Sequence, residues 1–233
     1  MAANTSGSSC IGRLLQRRRA LAGADQQICG PITVLAANTP GVGSGIWSVE
    51  SGAGGAVATP ADPASGFSGV PGNTYVLRWT VTNGICSSFD ETQIVLKRIP
   101  DVAASDATLC SGNTTNIAIT NPNGVPGTTF SWVVQSVSNV SGGGPGNSNL
   151  INQSLTVSDG ITQGTITYRI TAESNGCPGV PLDVTVTVNP TPVITTPASS
   201  LVEVVCSEEQ LNFIPTSTVA GTGYSWTSSV SGT

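Results

Sequence analysis

Six cysteines, two pairs of adjacent carboxylates and one lysine are the residues of this 233-residue chain best equipped for chemistry. No histidine accompanies them, which removes the commonest general base and the commonest metal ligand. Ser and Thr are abundant, but their hydroxyls stay weak nucleophiles without a base beside them, and Lys97 falls at a domain boundary. Asp90-Glu91 precedes a strand and Glu208-Glu209 opens a repeat. Glycoside hydrolysis needs carboxylates facing each other across a cleft, so both pairs read as solvated turns. Asp101 and Asp106 could approach a calcium ion at a domain joint, but no Asp-x-Asp-x-Asp-Gly loop is present. The absence of a Cys-x-x-Cys pair argues against a thiolate metal site. The Gly-rich stretches 52–55 and 141–146 lack a Walker lysine and read as loops. The expectation is a protein that is not an enzyme, with no catalytic residues, no cofactor and no metal. Asn-x-Ser/Thr sequons make Asn113, Asn139 and Asn152 candidate glycosylation sites. Chance matches are frequent in a chain this rich in Asn, Ser and Thr, and glycosylation through Ser or Thr fits a surface fibre equally well.

Composition limits the partners. Only 9% of residues are charged, against roughly 25% in ordinary soluble domains. From residue 20 onward there are four basic residues and thirteen acidic ones, a net of 4 − 13 = −9. Such a surface repels phosphate backbones, which excludes nucleic acid. No run of 18 apolar residues exists, so no membrane insertion is expected. Ala20-Leu21-Ala22 imitates a signal-cleavage site, but no apolar stretch precedes it. Residues 1–22 are expected to be a leader or fragment end, poorly ordered.

The elements that must position these residues are written as a repeat. Cys29, Cys110 and Cys206 open three similar units, and Trp47, Trp132 and Trp226 follow them at spacings of 18, 22 and 20. The first two units close alike. Tyr75-Val76-Leu77-Arg78-Trp79-Thr80-Val81 runs into Asn83-Gly84-Ile85-Cys86, and Tyr168-Arg169-Ile170-Thr171-Ala172 runs toward Asn175-Gly176-Cys177. Alternating strands that meet at Asn-Gly are the strongest short hairpin signal. Strands are expected near 32–37, 45–50, 74–82 and 92–97, then near 114–119, 129–135, 150–157, 163–173 and 181–188. The predicted inward positions are Val34, Trp47, Tyr75, Leu77, Val95, Ile117, Ile119, Trp132, Tyr168, Ile170, Val184 and Val186. A Trp that recurs in every repeat is a core anchor, so Trp47, Trp132 and Trp226 are expected inside, whereas Trp79 has no counterpart. Prolines in Arg98-Ile99-Pro100 and Asn189-Pro190-Thr191-Pro192 mark the boundaries.

Ile46-Trp47-Ser48-Val49-Glu50-Ser51-Gly52-Ala53-Gly54-Gly55, together with the segment from Tyr75 to Cys86, resembles repeats of giant surface proteins of Bacteroidota. Leu109 to Ile117, Gly127 to Trp132 and Val186 to Pro192 resemble the PKD-like domain of the same proteins. The resemblance covers residues 23–233. It implies tandem immunoglobulin-like (PKD-like) β-sandwich domains in an all-β chain that is extracellular or at the cell surface. It links the chain to gliding motility, adhesion or surface filaments and names no ligand. The domains expected are sandwich one at 23–99, sandwich two at 100–190, and the first half of a third sandwich at 191–233.

One regular cysteine pair per repeat in an acidic, Lys-poor chain suggests an oxidising compartment. Six cysteines allow 15 pairings. The favoured set is Cys29–Cys86 and Cys110–Cys177, leaving Cys206 and Cys10 over. In a strict immunoglobulin strand order those bridges would join opposite poles and be too long, so the favoured set requires a strand order that differs from the immunoglobulin one. The alternative joins neighbouring domains, for example Cys29 to Cys177. The expected function is a structural or interaction segment of an adhesin, stalk or surface filament. Its partners would be neighbouring repeats, other copies of itself, or surface glycans, and an incomplete third sandwich would assemble head-to-tail by strand complementation. The alternative function is an accessory polysaccharide-binding module of a secreted enzyme.

Overall fold

The computed structural model describes residues 19–197, 204, 206, 208–210, 212–227 and 229. It is all-β, with no helix among the described residues and none long and apolar enough to cross a membrane. The chain divides into two compact units. The first is Met1–Pro100 with Val125–Gly127 and Glu173–Pro178; the second is Asp101–Gly124, Thr128–Ala172 and Gly179–Thr233.

In the first repeat the strands are β1 (Gln26–Cys29), β2 (Ile32–Val34), β3 (Ser44–Ser51), β4 (Ala56–Val57), β5 (Gly66–Ser68), β6 (Thr74–Asn83) and β7 (Cys86–Lys97). One sheet has the order β1-β7-β6-β3 and the other β2-β5-β4. β6 sets the inside of the larger sheet. Its apolar residues alternate, so Tyr75, Leu77, Trp79 and Val81 all face inward and are buried. They meet Trp47, Ile94 and Leu96 from their own sheet and Leu35 and Phe67 from across the core. Trp79, the tryptophan with no counterpart, packs 5.2 Å from Trp47, centroid to centroid. A Cβ on Gly45 would lie 2.0 Å from the Trp79 ring, so the second tryptophan needs glycine on the neighbouring strand.

Two predicted inward residues face elsewhere. Val34 is exposed and Leu35 is buried; Val95 is half-buried between buried Ile94 and Leu96. Both lie in continuous apolar runs, where period two fits either parity. Pairing decides between them. Thr33 opposes Phe67, and the ladder continues as Leu35 N–H to Ser65 O (2.9 Å) and Ala37 N–H to Pro63 O (3.0 Å). A slip of one residue would turn the whole set outward.

The end of the expected leader belongs to this core. Ala20 and Ala22 are buried, and their N–H groups donate to Ser88 Oγ (3.2 Å) and Asp90 Oδ2 (2.9 Å). Thr92 Oγ1 donates to Ala24 O, and Gln93 N–H donates to Asp25 Oδ1. All four contacts keep the 68-residue offset of the parallel β1–β7 ladder, which begins at Gln26 opposite Ile94. Residues 20–25 thus run along β7 through side chains, and β1 then pairs with it directly. Residues 1–18 lie outside the described residues.

The second repeat has β8 (Ala107–Cys110), β9 (Ile117–Ala118), β10 (Thr129–Ser138), β11 (Val140–Ser141), β12 (Leu150–Ile151), β13 (Thr156–Val157), β14 (Gly164–Ser174), β15 (Cys177–Pro178) and β16 (Leu182–Asn189). The main sheet is β10-β14-β16-β8, with β15 beside β14; β9 pairs with β12 and β11 with β13. The entry segment copies the first repeat. Ala103 bridges Thr120, Asp106 Oδ1 accepts Thr185 N–H (2.8 Å), and β8 then runs parallel to β16. The core gathers Ile117, Ile119, Trp132, Ile151, Tyr168, Ile170, Val184 and Val186. Gln153 ties it to the 141–146 loop. It accepts the Tyr168 hydroxyl (2.7 Å) and donates to Gly144 O (2.8 Å), which also accepts the Trp132 indole N–H (3.2 Å).

Among its described residues, the segment after Pro192 has one isolated bridge, Ile194 to Ser217, and it falls in the second unit. Trp226, expected as a third core anchor, is 76% exposed. No facing sheet among the described residues covers it, so the spacing that marks an anchor is met without a core to anchor.

Trp132→Ala should cost about 3–5 kcal/mol, the usual range for emptying a buried aromatic site. Ile85, which is 97% exposed, should change stability by less than about 0.5 kcal/mol when replaced by Thr. Urea melts followed by near-UV circular dichroism check both. Burial pushes the Tyr168 phenol up to about 12. A raised value means that its stabilisation is complete below the ordinary tyrosine range near 10 and is lost as pH rises through 12. Absorbance at alkaline pH should show one tyrosine that ionises late and together with unfolding.

Candidate functional site

The chemistry-bearing residues converge on a hairpin tip. β14 turns at Asn175-Gly176, with φ of 52° and 77°, and re-enters as Cys177 opposite Ser174. Two successive positive φ values are what a type I′ turn requires, and Asn-Gly supplies them at least cost. In the first repeat Asn83 pairs with Cys86, so the two-residue loop there is Gly84-Ile85 rather than Asn83-Gly84. Each cysteine therefore stands immediately after its turn despite the different spacing.

The tip Glu173–Pro178 comes from the second sequence repeat but belongs to the first compact unit. Cys177 is fully buried and disulfide-bonded to Cys29, at the end of β1, with Cα atoms 5.6 Å apart. The favoured pairs Cys29–Cys86 and Cys110–Cys177 are thus not formed. Cys86 is disulfide-bonded to a cysteine other than Cys29, and Cys110 and Cys206 are free and exposed. The reason is reach. Cys29 ends β1 beside Lys97, the last residue of β7, whereas Cys86 begins that twelve-residue strand. Eleven residues of extended strand, about 35 Å, separate the two ends, and a disulfide spans less than about 7 Å between Cα atoms.

Polar contacts hold the tip. Lys97 Nζ donates to Asn175 O (3.1 Å), and the buried Ser174 hydroxyl donates to Pro126 O (2.8 Å) beside buried Val125. The chain's one lysine is therefore a clamp on a turn carbonyl. The other basic residues beyond residue 20 are also engaged. Arg78 bridges Glu50 (3.0 Å) and Glu91 (2.6 Å) under the Phe89 ring, Arg169 pairs with Asp183 (2.8 Å), and Arg98 donates to Pro71 O.

The remaining candidate sites serve the scaffold. Asp90 and Glu91 alternate along β7, one accepting Ala22 N–H and the other Arg78. Glu209 accepts the Cys206 N–H (2.9 Å), Asp101 accepts Asn123 N–H, and Asp106 accepts Thr185 N–H. No group of three His, Cys, Asp or Glu residues that could hold a metal is found among the described residues. Asn113 and Asn152 are exposed. The Asn139 amide is engaged instead, donating to Thr162 and accepting Asp159 N–H. The Thr162 hydroxyl and the backbone N–H groups of Ile161 and Thr162 hold the Asp159 carboxyl far below its usual range.

Residues 107–192 match the model of the PKD-like domain family. Among curated proteins none matches the chain. Solved structures similar to it include two titin fragments spanning I67–I69, at TM-scores of 0.39 and 0.35 and identities of 11% and 9%. They cover 76% and 74% of this chain, which in turn spans 68% and 64% of theirs. The fibronectin(III)-like modules of Clostridium thermocellum CbhA give 0.34 at 10% identity over 73% of this chain and 94% of theirs. The strands, sheets and family match define the class: tandem immunoglobulin-like β-sandwiches, the second similar to PKD-like domains.

The Cys29–Cys177 bond closes a loop with a sequence separation of 148, for which the chain-entropy model gives about 5 kcal/mol. Cys177→Ser should lower the urea midpoint of the first unit. Non-reducing peptide mapping of the wild-type chain should yield one peptide pair joined through Cys29 and Cys177, and a Cys29–Cys86 pair would contradict the assignment.

Proposed function

We propose that the chain is a non-catalytic structural or interaction segment of an extracellular stalk, adhesin or surface filament. The observation that carries this reading is the Cys29–Cys177 bridge. It joins the entry strand of one sequence repeat to the hairpin tip of the next, which suits an oxidising setting and a chain under tension. The surface residues agree. Carboxylates and cations are consumed by strand capping and ion pairs, and three of the four tryptophans are buried. Trp226 in solvent, with one isolated bridge, Ile194 to Ser217, among the described residues after Pro192, fits a reading of assembly by strand complementation.

Single-molecule stretching tests the mechanical reading. With the bridge intact, the 148-residue separation between Cys29 and Cys177 stays out of the extension. Adding reductant should lengthen the contour by about 500 Å, at roughly 3.5 Å per residue. An oxidised chain that extends to its full length would refute it. Saturable binding on a polysaccharide array, lost in Trp226→Ala, would favour the accessory-module alternative instead.

A further inference from the structure

We infer that Cys110 is the attachment point for the turn cysteine of a third sandwich, so that one bridge pattern repeats along the array. The inference rests on the reading of the chain as stacked sandwiches in an oxidising setting. Cys110 is not an isolated thiol but the second copy of an occupied site. Cys29 closes a four-residue strand parallel to β7, opposite Lys97; Cys110 closes a four-residue strand parallel to β16, opposite Asn189. An aspartate caps each ladder one residue before it starts, Asp25 through Gln93 N–H and Asp106 through Thr185 N–H. The residue after each cysteine donates back to the last residue of the partner strand, Gly30 to Lys97 O (2.9 Å) and Ser111 to Asn189 O (2.7 Å). At the first site this geometry receives Cys177, which follows a two-residue turn. At the second site Cys110 is exposed and free.

The second site also places a side chain with N–H donors opposite its cysteine, Asn189 opposite Cys110. Lys97 Nζ holds the turn carbonyl of Asn175. Asn189 occupies the equivalent place, and its Oδ1 accepts Gln163 Nε2 (2.7 Å). That bond orients the amide so that its Nδ2–H₂ group is the end available to a turn carbonyl. The occupant is therefore a β-hairpin whose cysteine follows a tight Asn-Gly or Gly-x turn, as in the two repeats seen here. It would belong to the sandwich that the segment after Pro192 begins. Bond formation oxidises the thiols of Cys110 and the turn cysteine. A small-molecule or protein disulfide takes up the two electrons and two protons and leaves as two thiols.

The test is non-reducing peptide mapping of protein isolated from its source, with free thiols blocked at lysis. The expected result is a Cys110 peptide joined to a turn peptide in which cysteine follows Asn-Gly or Gly-x. The mass of the denatured, unreduced species tells whether that peptide comes from the same polypeptide or a second one. A blocked free Cys110, or Cys110 joined to Cys206 or to a small thiol, overturns the inference while an intact Cys29–Cys177 pair leaves the proposed function standing. Cys29 and Cys177 recovered as blocked thiols would instead overturn the oxidising setting on which both rest. Cys110→Ser should abolish the cross-link and leave the Cys29–Cys177 peptide unchanged.

Discussion

The parallel ladder between β1 and β7 spans only Gln26 to Cys29, yet the position of Cys29 and the course of the entry segment along β7 follow from it. A parallel strand must enter from the same end of the sheet as its partner. Residues 20–25 therefore travel along β7 before they can pair with it, and the hydroxyls and carboxylates of Ser88, Asp90, Thr92 and Asp25 bridge the gap. The same ladder delivers Cys29 to the C-terminal end of β7, beside Lys97. The second repeat reproduces it with Asp106, β8, β16 and Asn189.

This placement separates each entry cysteine from the turn cysteine of its own sandwich by the length of a long strand. Cys29 takes its partner, Cys177, from the sequence of the neighbouring repeat. The first compact unit takes in Glu173–Pro178 and Val125–Gly127 from the sequence of the second repeat, with Ser174 bonded to Pro126 and Cys177 fully buried. Side chains that look reactive in isolation become fasteners. Lys97 holds a turn carbonyl, Asp90 caps an entry segment, and the Asn139 amide closes the loop around Asp159 and Thr162.

Much of the fold was legible because period-two alternation is strong where apolar and polar residues strictly alternate. Tyr75, Leu77, Tyr168, Ile170, Val184 and Val186 face inward as their pattern requires. Val34 and Val95 fail for the opposite reason: each sits in an apolar run that is consistent with either face. The buried ends of the entry segments were illegible in another way, since Ala20 and Ala22 carry too little side chain to reveal a core position. Trp226 shows the limit of spacing as evidence, because it keeps the anchor spacing yet is exposed, with no opposite sheet over it among the described residues.

The sequence by itself determined the all-β class, the repeat and the turn at Asn175-Gly176. These depend on residue type and near neighbours along the chain. Tertiary structure alone decided the strand parity of the apolar runs, the capture of residues 20–22 and the Cys29–Cys177 pairing. The physical reason is that a disulfide and a parallel ladder are fixed by the position of strand ends in space. Residues 29 and 177 come within 5.6 Å only after both repeats have folded.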